Sequence, residues 1–240
     1  MALVSAHRGG VGGDRRAQNT LAAFESAIAM GCDYVEFDVR LTADGTPVIF
    51  HDDELDDDAV LRSIARHRLE QFTGVLVTLE SVLDVIRGRI KAHVDLKVPG
   101  HEIETVSRVV AVLGVENVVV TTSEDASVRR LVAWSRQHAP GMLVGLSSGP
   151  RSSRDHRLAR WWVAAESAFP RTRVRLSRAN VVVAHKVVAR WSLKAYARRR
   201  GLPLIVWTVD RPDELARWMN DPDVWMVTTN HPERAFAARR

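Results

Sequence analysis

Short apolar runs rich in valine and isoleucine recur along the chain, and most are followed by a segment whose apolar residues repeat every three to four positions. Parallel strands joined by crossover helices leave this pattern. Strands are predicted at residues 3–6, 34–41, 92–96, 118–121, 142–146, 181–184, 204–208 and 225–228. Helices are predicted at 20–30, 79–86, 102–113, 126–138, 157–168, 189–200 and 212–219. The first puts Leu21, Phe24 and Ile28 on one face, and the third does the same with Ile103, Val106 and Val110. Both stop at a glycine, Gly31 and Gly114, suited to a left-handed C-cap, and Thr78 and Asp210 stand where N-caps are needed. Eight strands at this spacing predict a closed (β/α)8 TIM barrel of the α/β class, in which each strand finds two neighbours, rather than an open doubly wound sheet.

One stretch departs from the alternation. Residues 52–78 are too many for an ordinary barrel loop and begin with the acids Asp52, Asp53, Glu54, Asp56, Asp57 and Asp58. They read as a short insertion after the second strand, either covering a barrel end or forming a solvated charge run. No other composition break suggests a linker, so residues 1–240 are expected to form one barrel domain.

Charge narrows the partners. The chain has 34 Lys and Arg against 29 Asp and Glu, a formal charge of +5. Its only lysines are Lys91, Lys97, Lys186 and Lys194, so the excess is arginine, scattered over many segments. That bias suits an anionic small molecule, and without a compact basic block interleaved with aromatics no nucleic-acid partner is expected. Cys32 is the only cysteine, which excludes an intramolecular disulfide. No segment has the length and apolarity of a membrane span, and the first residues lack the apolar core of a signal peptide. No stable membrane insertion and a cytoplasmic location are therefore expected.

Barrel chemistry collects at the C-terminal ends of the strands. The first predicted strand ends at His7 and Arg8, the second carries Glu36 and Asp38, and the third carries Asp95 and Lys97. Residues two apart on a strand share a face, so three carboxylates are expected around one point, with Phe37 and Leu96 turned away. Their mutual repulsion calls for a cation. An all-oxygen set suits a hard divalent ion, Mg2+ or Ca2+; the competing account pairs the acids with arginine and needs no metal. Residues 47–50 read as a short return strand that brings His51 back toward the same mouth. Two histidines, His7 and His51, can then serve as general acid and base, while Arg8 and Lys97 suit the non-bridging oxygens of a phosphate.

The order of motifs is HRGG from His7, QNT from Gln18, GCDYVEFDVRLTADGTPVIFHD from Gly31, TLESVL from Thr78, HVDLK ending at Lys97, VWTVD from Val206 and VTTNHP from Val227. In this order and spacing the chain resembles the glycerophosphodiester phosphodiesterase family. The resemblance implies a metal held by Glu36, Asp38 and Asp95, an acid and base pair at His7 and His51, and phosphate contacts from Arg8 and Lys97. It also implies attack on phosphorus by water or by the substrate's own glycerol hydroxyl. The chain departs from the family pattern where Gln18 replaces a glutamate, where Asp95 stands for the more usual glutamate, and where the final Thr-Asp-x-Pro reads Thr229-Asn230-His231-Pro232. Leu55-Asp56-Asp57-Asp58 and Thr122-Ser123-Glu124 are further departures, which bear on substrate more than on reaction.

The expected activity is metal-dependent hydrolysis of a glycerophosphodiester to glycerol phosphate and an alcohol. The alternatives are lyase-like cleavage of a choline lysolipid to a cyclic phosphate, and a barrel that binds phosphate ligands without turnover. Trp207 is a candidate apolar wall for substrate, and His185 a candidate substrate contact. His93 reads as a packed barrel residue. Arg151, Arg154 and Arg157 read as part of a solvated loop, and Trp161 and Trp162 as helix residues packed on the sheet.

Overall fold

The computed structural model describes residues 1–52, 77–149 and 169–239. Nine strands are described: β1 Leu3–Ala6, β2 Tyr34–Leu41, β3 Pro47–Ile49, β4 Lys91–Leu96, β5 Val118–Thr122, β6 Leu143–Ser148, β7 Val181–His185, β8 Leu204–Trp207 and β9 Met226–Thr229. Eight of them pair in parallel in the order β1-β9-β8-β7-β6-β5-β4-β2, and β1 pairs with β2 to close the ring. The closed barrel is the predicted one, with each strand within two residues of its expected bounds. The ninth, β3, is the return strand, hydrogen-bonded antiparallel to the end of β2 from Val39↔Ile49 to Leu41↔Pro47.

Strand alternation divides the apolar residues into two sets. Val35, Phe37, Val94, Val120, Val144 and Val206 point outward into the layer shared with the helices, where Phe37 meets Phe24 with ring centroids 5.9 Å apart. Tyr34, Val119, Val181, Val183, Ile205 and Met226 point inward and plug the lower barrel. That plug leaves the upper interior to polar residues, which is what places a site at the strand C-termini.

The described helices longer than a single turn are α1 Leu21–Ala29, α2 Leu79–Ile86, α3 Glu102–Leu113, α4 Asp125–His138, α5 Pro170–Ser177, α6 Lys194–Arg200, α7 Pro212–Met219 and α8 Pro232–Ala237. Thr20 caps α1 by accepting from the Ala23 amide, and Thr78 with Ser81 forms a reciprocal capping box on α2. The face predicted for α3 holds in part. Only Ile103 departs from it: Val106 is buried and Val110 packs against the core beside Val109 and Leu113, while Ile103 is 39% exposed and Glu102, bonded by Ser127 and Arg130, is buried. Gly114 has φ 82° and ψ 147°, a positive-φ exit rather than the left-handed cap expected of it. Asp210 does not cap α7, whose N-cap is Arg211; its carboxylate binds Thr229 and Asn230 instead. The helix expected over 189–200 opens with a π turn at Ala189–Leu193 before α6. Helices α5 and α8 were not predicted, each short and opened by proline at its first turn. The helix expected at 157–168 and most of the insertion expected at 52–78 lie outside the described residues, as do Arg151, Arg154, Arg157, Trp161 and Trp162.

Candidate active site

The HRGG segment turns sharply off β1. His7–Gly9 form a single 3-10 turn in which Arg8 has φ 49°, a left-handed conformation rare for a side chain this large. Two contacts hold it there: the Arg8 amide donates to Glu36 Oε2 at 2.8 Å, and Arg8 Nε lies 2.9 Å from Asp38 Oδ2. Gly9 and Gly10 also have positive φ, and a Cβ added to either would come within 2.4 Å of Ala23 Cβ or Pro232 Cγ respectively. Gly9→Ala therefore meets strain and overlap together. It is expected to cost about 2–4 kcal/mol, lowering Tm by about 4–16 °C in a calorimetric scan.

Beneath this turn lie the carboxylates. Asp38 and Asp95 are register partners on β2 and β4, and Glu36 sits one pleat deeper. Glu36, Asp38 and Asp95 each offer an oxygen within 4.8 Å of the others, close enough to share one cation. Asp38 is fully buried; its Oδ2 accepts from Asn19 Nδ2 at 2.8 Å, and it forms ion pairs with Arg8, Nε at 2.9 Å, and Lys97, Nζ at 2.8 Å. Lys97 also bonds Asp95. Burial pushes Asp38 up, but Lys97 and Arg8 outweigh it and hold the carboxyl well below the usual range. Glu36 goes the other way: burial, then Asp38 and Asp95, push it up to about 8. The pairing of acids with Arg8 and Lys97 is thus real, yet two cations leave three carboxylates undercompensated. An all-oxygen, charge-deficient cluster of this size fits a hard divalent ion.

Each candidate histidine has one ring nitrogen fixed. His7 Nδ1 is 2.8 Å from Asn230 Oδ1. The orientation of Asn230 is set by Asp210, which accepts from the Asn230 side-chain amide at 2.9 Å and its backbone amide at 2.8 Å. The Asn230 carbonyl oxygen must then face His7, so His7 Nδ1 carries the hydrogen and Nε2, 4.0 Å from Glu36 Oε2, is free. Burial, with Arg8 adding to it, lowers His7 to about 4, so the ring is neutral. His51, delivered by β3, has Nδ1 2.7 Å from Asp52 Oδ1, and burial lowers its pKa from the ordinary value. Both rings feel the charges of Asp38, Arg8 and Lys97, which puts them beside the same cluster.

All of Glu36, Asp38, Asp95, His7, His51, Arg8 and Lys97 therefore converge. Trp207 is half-buried on β8 with its ring edge-on to His185 at 5.6 Å. His185 Nδ1 accepts from the Val187 amide at 3.4 Å and caps the turn that follows β7. His93 is buried, but in polar company: it reaches Ser5 and Thr121 rather than only apolar neighbours. Sequence reasoning gave no part in orienting the site to Asn19, Asp52, Thr121, Asp210 or Asn230, although Asn19 and Asn230 lie in the quoted motifs and Asp210 was expected to cap a helix. Asp52 carried a local signal, its position next to His51; the contacts of the others depend on strand register or on a left-handed turn, as with Asn19 at φ 57°. Gln18, where the resemblance leads one to expect a glutamate, accepts from Arg8 at 3.0 Å and leaves Asp38 as that arginine's carboxylate partner.

Residues 7–234 match the model of the glycerophosphoryl diester phosphodiesterase family. A glycerophosphodiester phosphodiesterase of Caldanaerobacter subterraneus subsp. tengcongensis is 26% identical over 252 residues, covering 96% of this chain and 95% of that protein. A 99-residue stretch is 32% identical to the Bacillus subtilis protein YqiK and spans 37% of its length. Among solved structures, a glycerophosphodiester phosphodiesterase from Parabacteroides distasonis superposes with a TM-score of 0.76 at 21% identity, covering 98% of this chain and 95% of the other. An Oleispira antarctica phosphodiesterase, solved with sn-glycerol-3-phosphate, does so with a TM-score of 0.72 at 22% identity, covering 99% and 96%.

Proposed function

The chain belongs to the glycerophosphoryl diester phosphodiesterase family, and from that premise we propose that it hydrolyses a glycerophosphodiester to glycerol phosphate and an alcohol with a divalent cation held by Glu36, Asp38 and Asp95. The observation that carries this reading is the cluster of three buried or half-buried carboxylates with two oriented imidazoles beside it. When bound, Mg2+ or Ca2+ supplies Lewis-acid polarisation of the phosphoryl oxygens. Arg8 and Lys97 add fixed positive charge for the same oxygens.

The surroundings of the two histidines support an order of use. His7 is neutral, and its Nδ1 partner is an uncharged amide, so Nε2 is ready to take a proton from the attacking water as the new P–O bond forms. His51 is backed by the Asp52 carboxylate, which stabilises the imidazolium that must form before a proton can be given to the leaving alkoxide as the old P–O bond breaks. The proton gained at His7 and the one lost from His51 are then exchanged with solvent, leaving the enzyme unchanged.

The product complex of the Oleispira antarctica structure supports a glycerophosphate product for a protein of the same barrel fold. Among the described residues no helix is long and apolar enough to cross a membrane. Phosphorus NMR on a panel of glycerophosphodiesters tests the reading. Glycerol phosphate is expected with Mg2+ or Ca2+, with turnover abolished by chelator and restored by the ion. A persistent cyclic phosphate, or full activity in chelator, would overturn it.

A further inference from the structure

A line of buried polar side chains runs across the barrel beside the carboxylates. Thr121 on β5 donates its hydroxyl to Asp95 Oδ1 at 2.7 Å. With that hydrogen committed, Thr121 Oγ1 can only accept from the neighbour on its other side, His93 Nε2 at 3.2 Å. His93 therefore carries its hydrogen on Nε2, and its Nδ1, 3.2 Å from Ser5 Oγ, accepts from the serine hydroxyl. Every hydrogen in the chain Ser5, His93, Thr121, Asp95 points the same way, toward the carboxylate. Ser5, His93 and Thr121 are all at least 96% buried, so water does not offer an easy substitute partner.

Lower in the barrel the inward residues Val119, Val181, Val183, Ile205 and Met226 are apolar. A valine at 121 or a leucine at 93 would suit such an interior as well, and a buried imidazole is costly unless both nitrogens are satisfied. Here both are satisfied, in one fixed tautomer. The other Asp95 oxygen is held by Lys97, so the Thr121 bond fixes the second oxygen and, with Lys97, the rotation of the carboxylate.

We infer that Thr121, oriented by His93 and Ser5, is a positioning residue that holds Asp95 in the geometry needed to bind the divalent cation. The inference rests on the metal reading above. Three side chains that touch neither substrate nor the reacting atoms thereby order one ligand before the ion arrives.

Isothermal titration of the full chain with Ca2+ or Mg2+ alone, without substrate, tests it. Thr121→Val keeps the shape and loses the donor, and is expected to weaken ion binding by about 10–100-fold. Thr121→Ser keeps the donor and should bind within about threefold of the unsubstituted protein, a rescue that mere packing at this site would not give. Loss of Thr121 should also hide the loss of His93, since the two act in series: the double variant His93→Leu with Thr121→Val should bind no more weakly than Thr121→Val alone. Each variant is checked for a cooperative thermal transition first, and Thr121→Ser carries the test if the valine variant fails to fold, because then a serine variant with weakened binding overturns the proposal. Unchanged affinity in Thr121→Val, or losses that multiply in the double variant, also overturn it while leaving the metal reading intact. Absence of any ion binding by the unsubstituted protein overturns both.

Discussion

His51→Ala is expected to lower kcat by about 10²–10⁴-fold, the range typical of a lost general acid, with KM little changed and the barrel intact. The side chain sits at the end of β3 and contributes nothing to the apolar core, so its removal should leave the thermal transition near its original temperature. What is lost is a proton donor whose charged form Asp52 stabilises from 2.7 Å. Asp52→Asn should fall between the two, because an amide can still hold the ring but cannot stabilise its charge. His7→Ala should cost a similar factor, and the double variant should be far less damaged than the product of the two factors, because acid and base act as a unit. Steady-state kinetics on any accepted glycerophosphodiester decides the matter. Turnover within about threefold of the unsubstituted enzyme in both single variants would remove the histidines from the chemistry.

The sequence made the barrel and the principal site residues legible because both depend on short-range periodicity. A period of two places Glu36 with Asp38 and Asp95 with Lys97, and eight apolar runs at regular spacing leave few alternatives to closure. The residues that orient the site were not legible, for a physical reason. Asn230 reaches His7 only because β9 lies beside β1 in register, Ala6 opposite Thr229, and Asp210 reaches Asn230 only because β8 lies beside β9. Sequence separations of 223 and 20 residues carry no periodic trace of such pairs. Asp210 illustrates the hazard. As an aspartate just before a proline-initiated helix it has the local look of an N-cap, but the unpaired amides of Asn230 compete for it and win. His93 was read as core packing on similar grounds, since burial is visible in a strand pattern and the identity of the buried partner is not.

Lys97→Met is expected to separate the electrostatics of the site from its catalysis. Lys97 Nζ lies 2.8 Å from Asp38 Oδ1 and also pairs with Asp95, and its side chain is only 22% exposed. Methionine matches its length and removes its charge, leaving three clustered carboxylates with Arg8 as the cation bound to Asp38. Breaking a buried pair from one side costs about 3 kcal/mol at the lower end of the measured range, which corresponds to a Tm about 6–12 °C lower for the metal-free protein. The same deficit should make the variant a better host for Mg2+ or Ca2+: removing a positive charge a few ångströms away favours the incoming cation by about tenfold or more. Metal should therefore raise the Tm of Lys97→Met by more than it raises that of the unsubstituted protein. Activity should nonetheless fall, because the ammonium that would meet a phosphate oxygen is gone. Thermal scans with and without ion, titration calorimetry and kinetics on the same preparation measure all three effects. Weaker ion binding in Lys97→Met would mean that the lysine organises the carboxylates more than it competes with the cation, and the charge argument for this site would have to be reversed.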